Sequence, residues 1–316
     1  MALLQVNEPH SSDEIEVHLY AGKEDLNEVD SRQEMDEEGR RQLEGAKRNW
    51  TSQEKWPLYQ YRWLLREYFA EFFGTFFLIS FGDGVCATTK FNAAEMPGYQ
   101  ANASYLAITF GWAFGLCIAL FISMGVSGGH LNPAVTLANC LFGTFPWKKA
   151  PGFILAQVLG AMAGAANVYG LFKPHFDEGE RRLLPGETMT SVFGGIFCTY
   201  PGVPNSYAVW SELFNTMALM MGILGLCDDR MTPAINYKPI AVGLLVFTIG
   251  ITTGVNSGYA INPARDLGPR IFTAMLWGKE PFTLYNYYFW IPTFVPILGA
   301  VLGMFLYACF IIPART

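Results

Sequence analysis

From Tyr68 onward the apolar residues gather in long stretches, and the lengths of these stretches decide the class of the protein. Six of them, at about 67–88, 103–124, 150–172, 208–228, 239–257 and 288–312, come near the roughly 20 residues an α-helix needs to cross a bilayer. A shorter apolar piece lies between the second and third and another between the fifth and sixth. Both open with the same tripeptide, Asn132-Pro133-Ala134 and Asn262-Pro263-Ala264. A piece of about 12 residues at about 1.5 Å each reaches roughly 18 Å, which is half a membrane. Each is expected to be a half-helix.

Superposing the two tripeptides at an offset of 130 residues also aligns Ser127 with Ser257, Gly128 with Gly258, Leu131 with Ile261 and Leu137 with Leu267. Ala70-Glu71-Phe72-Phe73 in the first span likewise resembles Ser211-Glu212-Leu213-Phe214 in the fourth. The chain therefore contains an internal repeat, one copy at about 65–172 and the other at about 208–312. Each copy has three spans and a half-helix. Because three is odd, the second copy starts from the opposite side of the membrane, so the copies are inverted. The expected fold is an all-α membrane protein with six transmembrane helices plus two half-helices that meet from opposite faces.

Composition adds a boundary. Residues 1–55 carry 14 acidic and 7 basic side chains, a charge of −7, which leaves +1 on the other 261 residues. With few aromatics, this segment cannot bury enough apolar area to offset the entropy of ordering. Residues 1–60 are read as an acidic disordered cytosolic tail, with one short helix considered around Glu34 to Lys47, and residues 61–316 as a membrane channel domain. No signal peptide opens at Met1, so the tail and, by the even span count, the C-terminus are placed in the cytosol. The flanking Lys and Arg give no orientation bias, Arg270 being counted among them. The acidic balance excludes a nucleic-acid groove. Cysteines 86, 117, 140, 198, 227 and 309 lie mostly in apolar runs without paired spacing, so neither a disulfide framework nor a metal or other cofactor is expected.

The tripeptide has a mechanical sense. Asn caps a helix, Pro is tolerated at its first position, and Ala lets two such turns pack closely. Two positive helix ends would then face one lumen, with Asn132 and Asn262 offering amide donors to whatever passes. Irregular backbone at that depth requires a water-filled cavity or burial in protein. The arrangement implies a pore that repels cations at its centre.

Ser-Gly-Gly-His-Leu-Asn-Pro-Ala-Val-Thr at 127–136, with the second tripeptide, resembles the aquaporin superfamily over residues 65–312. Arg265-Asp266 after that tripeptide and Phe197-Cys198-Thr199-Tyr200-Pro201 are similar to its aquaglyceroporin branch, in which an Asp after the Arg accompanies a wider pore. The resemblance implies a selectivity filter at Trp112, Gly250, Tyr259 and Arg265, with Gly250 leaving room where water-selective members usually carry His. The two aromatic faces would meet carbon-bound hydrogens and Arg265 would bind hydroxyls while opposing cations. Ionisable groups inside spans are functional candidates by default. The resemblance gives Glu71 and Glu212 a bracing role on the loops that enter the half-helices, preferred here to proton relay, and Asp266 is counted with them as loop-bracing. It also implies that His130 orients its loop and touches the lumen.

The implied activity is passive conduction of glycerol, other small uncharged solutes such as urea, and water, by a homotetramer with one pore per subunit in the lipid bilayer, by default the plasma membrane. A water-selective channel and a secondary transporter of polyols are the competing readings. The spans show no cluster of carboxylates for ion coupling, and no nucleophile, base and oxyanion set marks an enzyme. Met217, Met220 and Met221 are assigned to packing or lipid contact. Asp83 is placed at the membrane interface, away from the lumen. Sequons occur at Asn102, on the expected outer side, and at Asn49 in the tail.

Overall fold

The computed structural model describes residues 5–6, 17–18, 59–95, 101–228 and 237–312. The chain divides into two compact units, 1–60 and 61–316. In the first, Gln5–Val6 (β1) pairs antiparallel with Val17–His18 (β2). The helix expected near Glu34 to Lys47, the sequon at Asn49 and the rest of the tail up to residue 58 lie outside the described residues.

The second unit is helical. After the short α1 (Tyr59–Leu64) come α2 (Arg66–Glu95), α3 (Ala101–Ser127), α4 (Pro133–Leu141) and α5 (Ala150–Leu171). Next are α6 (Lys173–Arg181), α7 (Met189–Phe197), α8 (Asn205–Cys227) and α9 (Lys238–Thr253), the last continued by a 3-10 turn at Gly254–Asn256. The series ends with α10 (Pro263–Trp277), α11 (Glu280–Tyr287) and α12 (Trp290–Phe310). Among the described residues six helices, namely α2, α3, α5, α8, α9 with its 3-10 turn, and α12, are long and apolar enough to cross a membrane. The two half-helices, α4 with 9 residues and α10 with 15, fall on either side of the length expected for them. The helices α6, α7 and α11 lie in connecting segments, where the apolar pattern had shown only loop.

The inverted repeat is legible in the packing. α2 lies on α5 as α8 lies on α12, and α2 on α3 as α8 on α9. Each half-helix packs against the last span of the other copy, α4 on α12 and α10 on α5. Glycines set these distances. A Cβ at Gly160 would stand 2.3 Å from the Phe72 carbonyl oxygen, and one at Gly164 2.8 Å from that of Phe76. In the second copy Gly299 and Gly303 stand equally close to the carbonyls of Leu213 and Met217, at 2.6 and 2.4 Å. The same spacing of four residues between small side chains, used twice, lets the backbones touch where there is no hydrophobic force between helices in lipid.

The outer faces of the spans are apolar, with Phe69, Phe73, Phe114, Phe121 and Leu298 exposed on the chain. The polar groups are inside. Glu71, Glu212, Gln157, Asn215, Asp266 and Arg270 have no exposed surface, the reverse of a soluble fold and the pattern that hydrocarbon solvent dictates.

Candidate functional site

The two loops that enter the half-helices are built alike. Asn132 and Asn262 have extended backbones (φ −154° and −151°) and cap α4 and α10. Oδ1 of Asn132 accepts from the Ala134 amide at 2.9 Å, and Oδ1 of Asn262 from those of Ala264 and Arg265 at 3.0 and 3.4 Å. Pro133 and Pro263 sit at the first helical position, where no amide donor is needed. The residues before the caps, Leu131 and Ile261, take left-handed φ of 49° and 45°. Such a conformation costs of order 1–3 kcal/mol and persists only where the surroundings over-determine it.

Two buried carboxylates supply that determination. Oε1 of Glu71 accepts from Ser127 Oγ at 2.6 Å and the His130 amide at 2.9 Å, and Oε2 accepts from the Leu131 amide and Gln157 Nε2, both at 2.7 Å. Glu212 repeats the pattern in the second copy, accepting from the amides of Ala260 and Ile261, the counterparts of His130 and Leu131, both at 2.8 Å. The loops are also tied to each other. Asn132 Nδ2 donates to the Ile261 carbonyl at 2.8 Å, and Asn262 Nδ2 to the Leu131 carbonyl at 2.7 Å. Each asparagine therefore spends one amide hydrogen on the opposite copy and keeps another.

Both asparagines line a cavity of about 470 Å³. Its walls are mostly apolar, including Leu78, Leu120, Leu219 and Val246, and its polar groups include those of the two loops together with Arg265 and Asn139 on the half-helices. His130 also reaches it, with Nδ1 3.1 Å from Thr136 Oγ1 and the ring edge-on to Phe145 and Phe153.

Of the four residues expected to form the constriction, Trp112, Tyr259 and Arg265 line this cavity. The Arg265 guanidinium lies 4.0 Å over the Trp112 ring and donates through Nη1 to the Phe197 carbonyl at 3.2 Å. Gly250 is different: it lies behind the wall, and the room it leaves is already filled by Tyr259. A Cβ at Gly250 would stand 3.0 Å from Tyr259 Cζ, and one at Gly254 2.3 Å from Tyr259 Cδ1. Gly250 on α9 and Gly254 in the 3-10 turn that continues it thus seat the Tyr259 ring, whose own φ is 38°.

The model of the family described as Major intrinsic protein matches residues 59–307. The chain belongs to the major intrinsic protein family. It is 43% identical over 262 residues to Aquaglyceroporin-3 of Trypanosoma brucei brucei, spanning 81% of this chain and 82% of that one. It is 40% identical over 257 residues to Aquaporin-9 of Mus musculus, spanning 78% of this chain and 83% of the mouse protein. The X-ray structure of the aquaglyceroporin from Plasmodium falciparum superposes with a TM-score of 0.69 at 32% identity, covering 78% of this chain and 96% of that one. This major intrinsic protein is accordingly a multi-pass membrane protein.

In this family member Asp266 lies off the cavity, and two other charged residues are placed otherwise than the sequence predicts. Asp266 accepts from the Thr199 amide and hydroxyl at 2.8 and 2.6 Å and from Arg270 Nε at 2.6 Å, so it pins the loop whose Phe197 carbonyl holds Arg265. Arg270, counted as a flanking charge, is fully buried and also donates to the carbonyls of Thr199 and Pro281. Its spacing of four residues from Asp266 on one helix was the available signal. Asp83, expected at the membrane interface, is fully buried 3.7 Å from Arg265.

Proposed function

We propose that this protein is a passive channel for glycerol, water and other small uncharged solutes such as urea, and not an enzyme. The observation that carries the reading is the amphipathic cavity. Its lining combines hydrogen-bond donors, Arg265 and the amide groups of Asn132 and Asn262, with the Trp112 and Tyr259 rings and aliphatic side chains. A molecule with a hydroxyl edge and a carbon edge exchanges its water for both kinds of group at once. Trp112, Gly250, Tyr259 and Arg265 form the selectivity filter in this reading, Gly250 by seating Tyr259. Two inward-facing helix N-termini and Arg265 oppose cations. Glu71 and Glu212 brace the loops, His130 orients its own loop, and Asp266 braces the loop that carries Phe197. The names of the relatives, an aquaglyceroporin and an aquaporin, support the same solutes.

In the same reading residues 1–60 form a cytosolic acidic tail, residues 61–316 form the channel, both termini are cytosolic and the membrane is the plasma membrane. Four copies assemble, each with its own pore, through the apolar outer faces of the spans. The test is stopped-flow light scattering of vesicles that hold the purified protein. A step in external glycerol should give fast shrinkage followed by fast re-swelling without any ion gradient. Shrinkage without accelerated re-swelling would mean a water-selective channel, and re-swelling that needs an ion gradient would mean a carrier.

A further inference from the structure

The helix α2 carries none of the four expected filter positions, yet it contributes to the constriction. A Cβ at Gly82 would stand 2.4 Å from Trp112 Cε3 and Cζ3, so the Trp112 ring lies directly on the α2 backbone. The next residue, Asp83, is fully buried, and neither of its carboxylate oxygens has a hydrogen-bond donor among the described residues. Its ion-pair partner is Arg265, Nη1 to Oδ1, at 3.7 Å. Asp266, the neighbouring acid, spends its oxygens on hydrogen bonds to Arg270 and Thr199 and forms no contact ion pair with Arg265 among the described residues.

A buried carboxylate without donors is costly, and an apolar residue of similar volume is often the more stable choice. Local rules broken in this way concentrate at functional sites. We propose that Asp83 is a positioning and specificity-determining residue of the constriction, holding the Arg265 guanidinium against the Trp112 face and offsetting its charge toward the lumen. The proposal rests on the channel reading. Arg265 is then held at the lumen wall by three groups, the Phe197 carbonyl, the Trp112 ring and the Asp83 carboxylate. A permeating cation meets a charge pair there and not a lone guanidinium. If Asp83 is neutralised, Arg265 is free to lean into the lumen and obstruct glycerol. If Arg265 is removed and Asp83 stays, an unpaired buried carboxyl lies behind the wall, and a cation can take the place of the guanidinium beside it.

The test compares the full chain with Asp83→Asn, Asp83→Glu, Arg265→Val and the Asp83→Asn/Arg265→Val double variant in phosphatidylcholine vesicles. Water flux, glycerol flux and potassium leak are read on each. Asp83→Asn should lower the glycerol-to-water flux ratio by about fivefold, and Asp83→Glu should restore it to within about twofold, a barrier change of the size one ion-pair contact makes. Arg265→Val should raise the potassium leak by about tenfold, and the double variant should leak less than Arg265→Val alone. A purely packing role for Asp83 would scale the water and glycerol fluxes together. An unchanged flux ratio in Asp83→Asn, or equal leak in Arg265→Val with and without Asp83, overturns the proposal. Should Asp83→Asn not fold, Asp83→Leu alone and with Arg265→Val takes its place in both comparisons. If the wild-type protein passes no glycerol, the polyol reading fails, while the leak comparison still decides the role of Asp83.

Discussion

Replacing Gly250 by histidine is expected to depress glycerol flux by about tenfold or more, equivalent to about 1.4 kcal/mol on the barrier, with a loss of water flux below about threefold. The reason is geometric. The first atom of any side chain at 250 would meet Tyr259 Cζ at 3.0 Å and Thr109 Cγ2 at 3.1 Å. Thr109 is buried in α3, so it cannot move aside. The mobile partner is the Tyr259 ring, which would be driven off its seat on Gly250 and Gly254 and into the lumen. A water molecule is small enough to pass the residual gap, whereas a three-carbon polyol needs the full width. Stopped-flow measurement of both fluxes on the same vesicles checks this. Equal losses of the two would show that Gly250 does not act on width. A second substitution distinguishes the mechanism: in Gly250→His with Tyr259→Ala the glycerol flux should recover, because the displaced ring is gone.

Replacing Glu212 by glutamine should instead depress water and glycerol flux together and lower the thermal midpoint of the purified protein. The carboxylate is fully buried and accepts from the amides of Ala260 and Ile261 at 2.8 Å each, one per oxygen. A glutamine has one acceptor oxygen, so one of these amides then faces a donor. A buried donor left unsatisfied costs about 1–3 kcal/mol, and the cost is greater where no water reaches. The strain at Ile261, with φ of 45°, is released at the same time, which withdraws the backbone that presents Asn262. Glu71→Gln should behave likewise, although Ser127 Oγ can turn and Gln157 can exchange its amide ends, so the fall in thermal midpoint should be smaller. If Glu212→Gln keeps both its midpoint and its fluxes, the bracing role is wrong. The outcome differs in kind from that of Gly250→His, in which the two fluxes separate.

The six spans, the two half-helices and the inverted repeat could all be read from the chain. Membrane thickness sets span length, hydrocarbon forces every backbone group into a helix or a lined cavity, and an odd number of spans inverts the second copy. These are one-dimensional constraints, and residue order alone satisfies them. The paired tripeptides, with Glu71 and Glu212 at matching positions, also drew attention to the loops before any coordinate was known. The connecting helices α6, α7 and α11 were not legible, because their residues lack an apolar period at membrane length.

What only the tertiary structure decided is which polar groups meet across distant segments. Asp83 stands on α2 and Arg265 at the start of α10, and the 3.7 Å between them leaves no trace in spacing or composition. The interface and the interior are equally plausible for an acid one turn from a span's end, and only the packing of Trp112 on Gly82 selects the interior. Arg270 looks like a flanking charge until the loop from Phe197 to Pro201 folds over it and offers the Thr199 carbonyl, beside the Asp266 carboxylate one turn back on α10. Gly250 was singled out for the space it leaves, yet that space belongs to Tyr259, nine residues on. A glycine in a sequence marks an absent side chain. What occupies the vacated volume depends on a ring delivered by the following loop, whose left-handed backbone is held in place by Glu212.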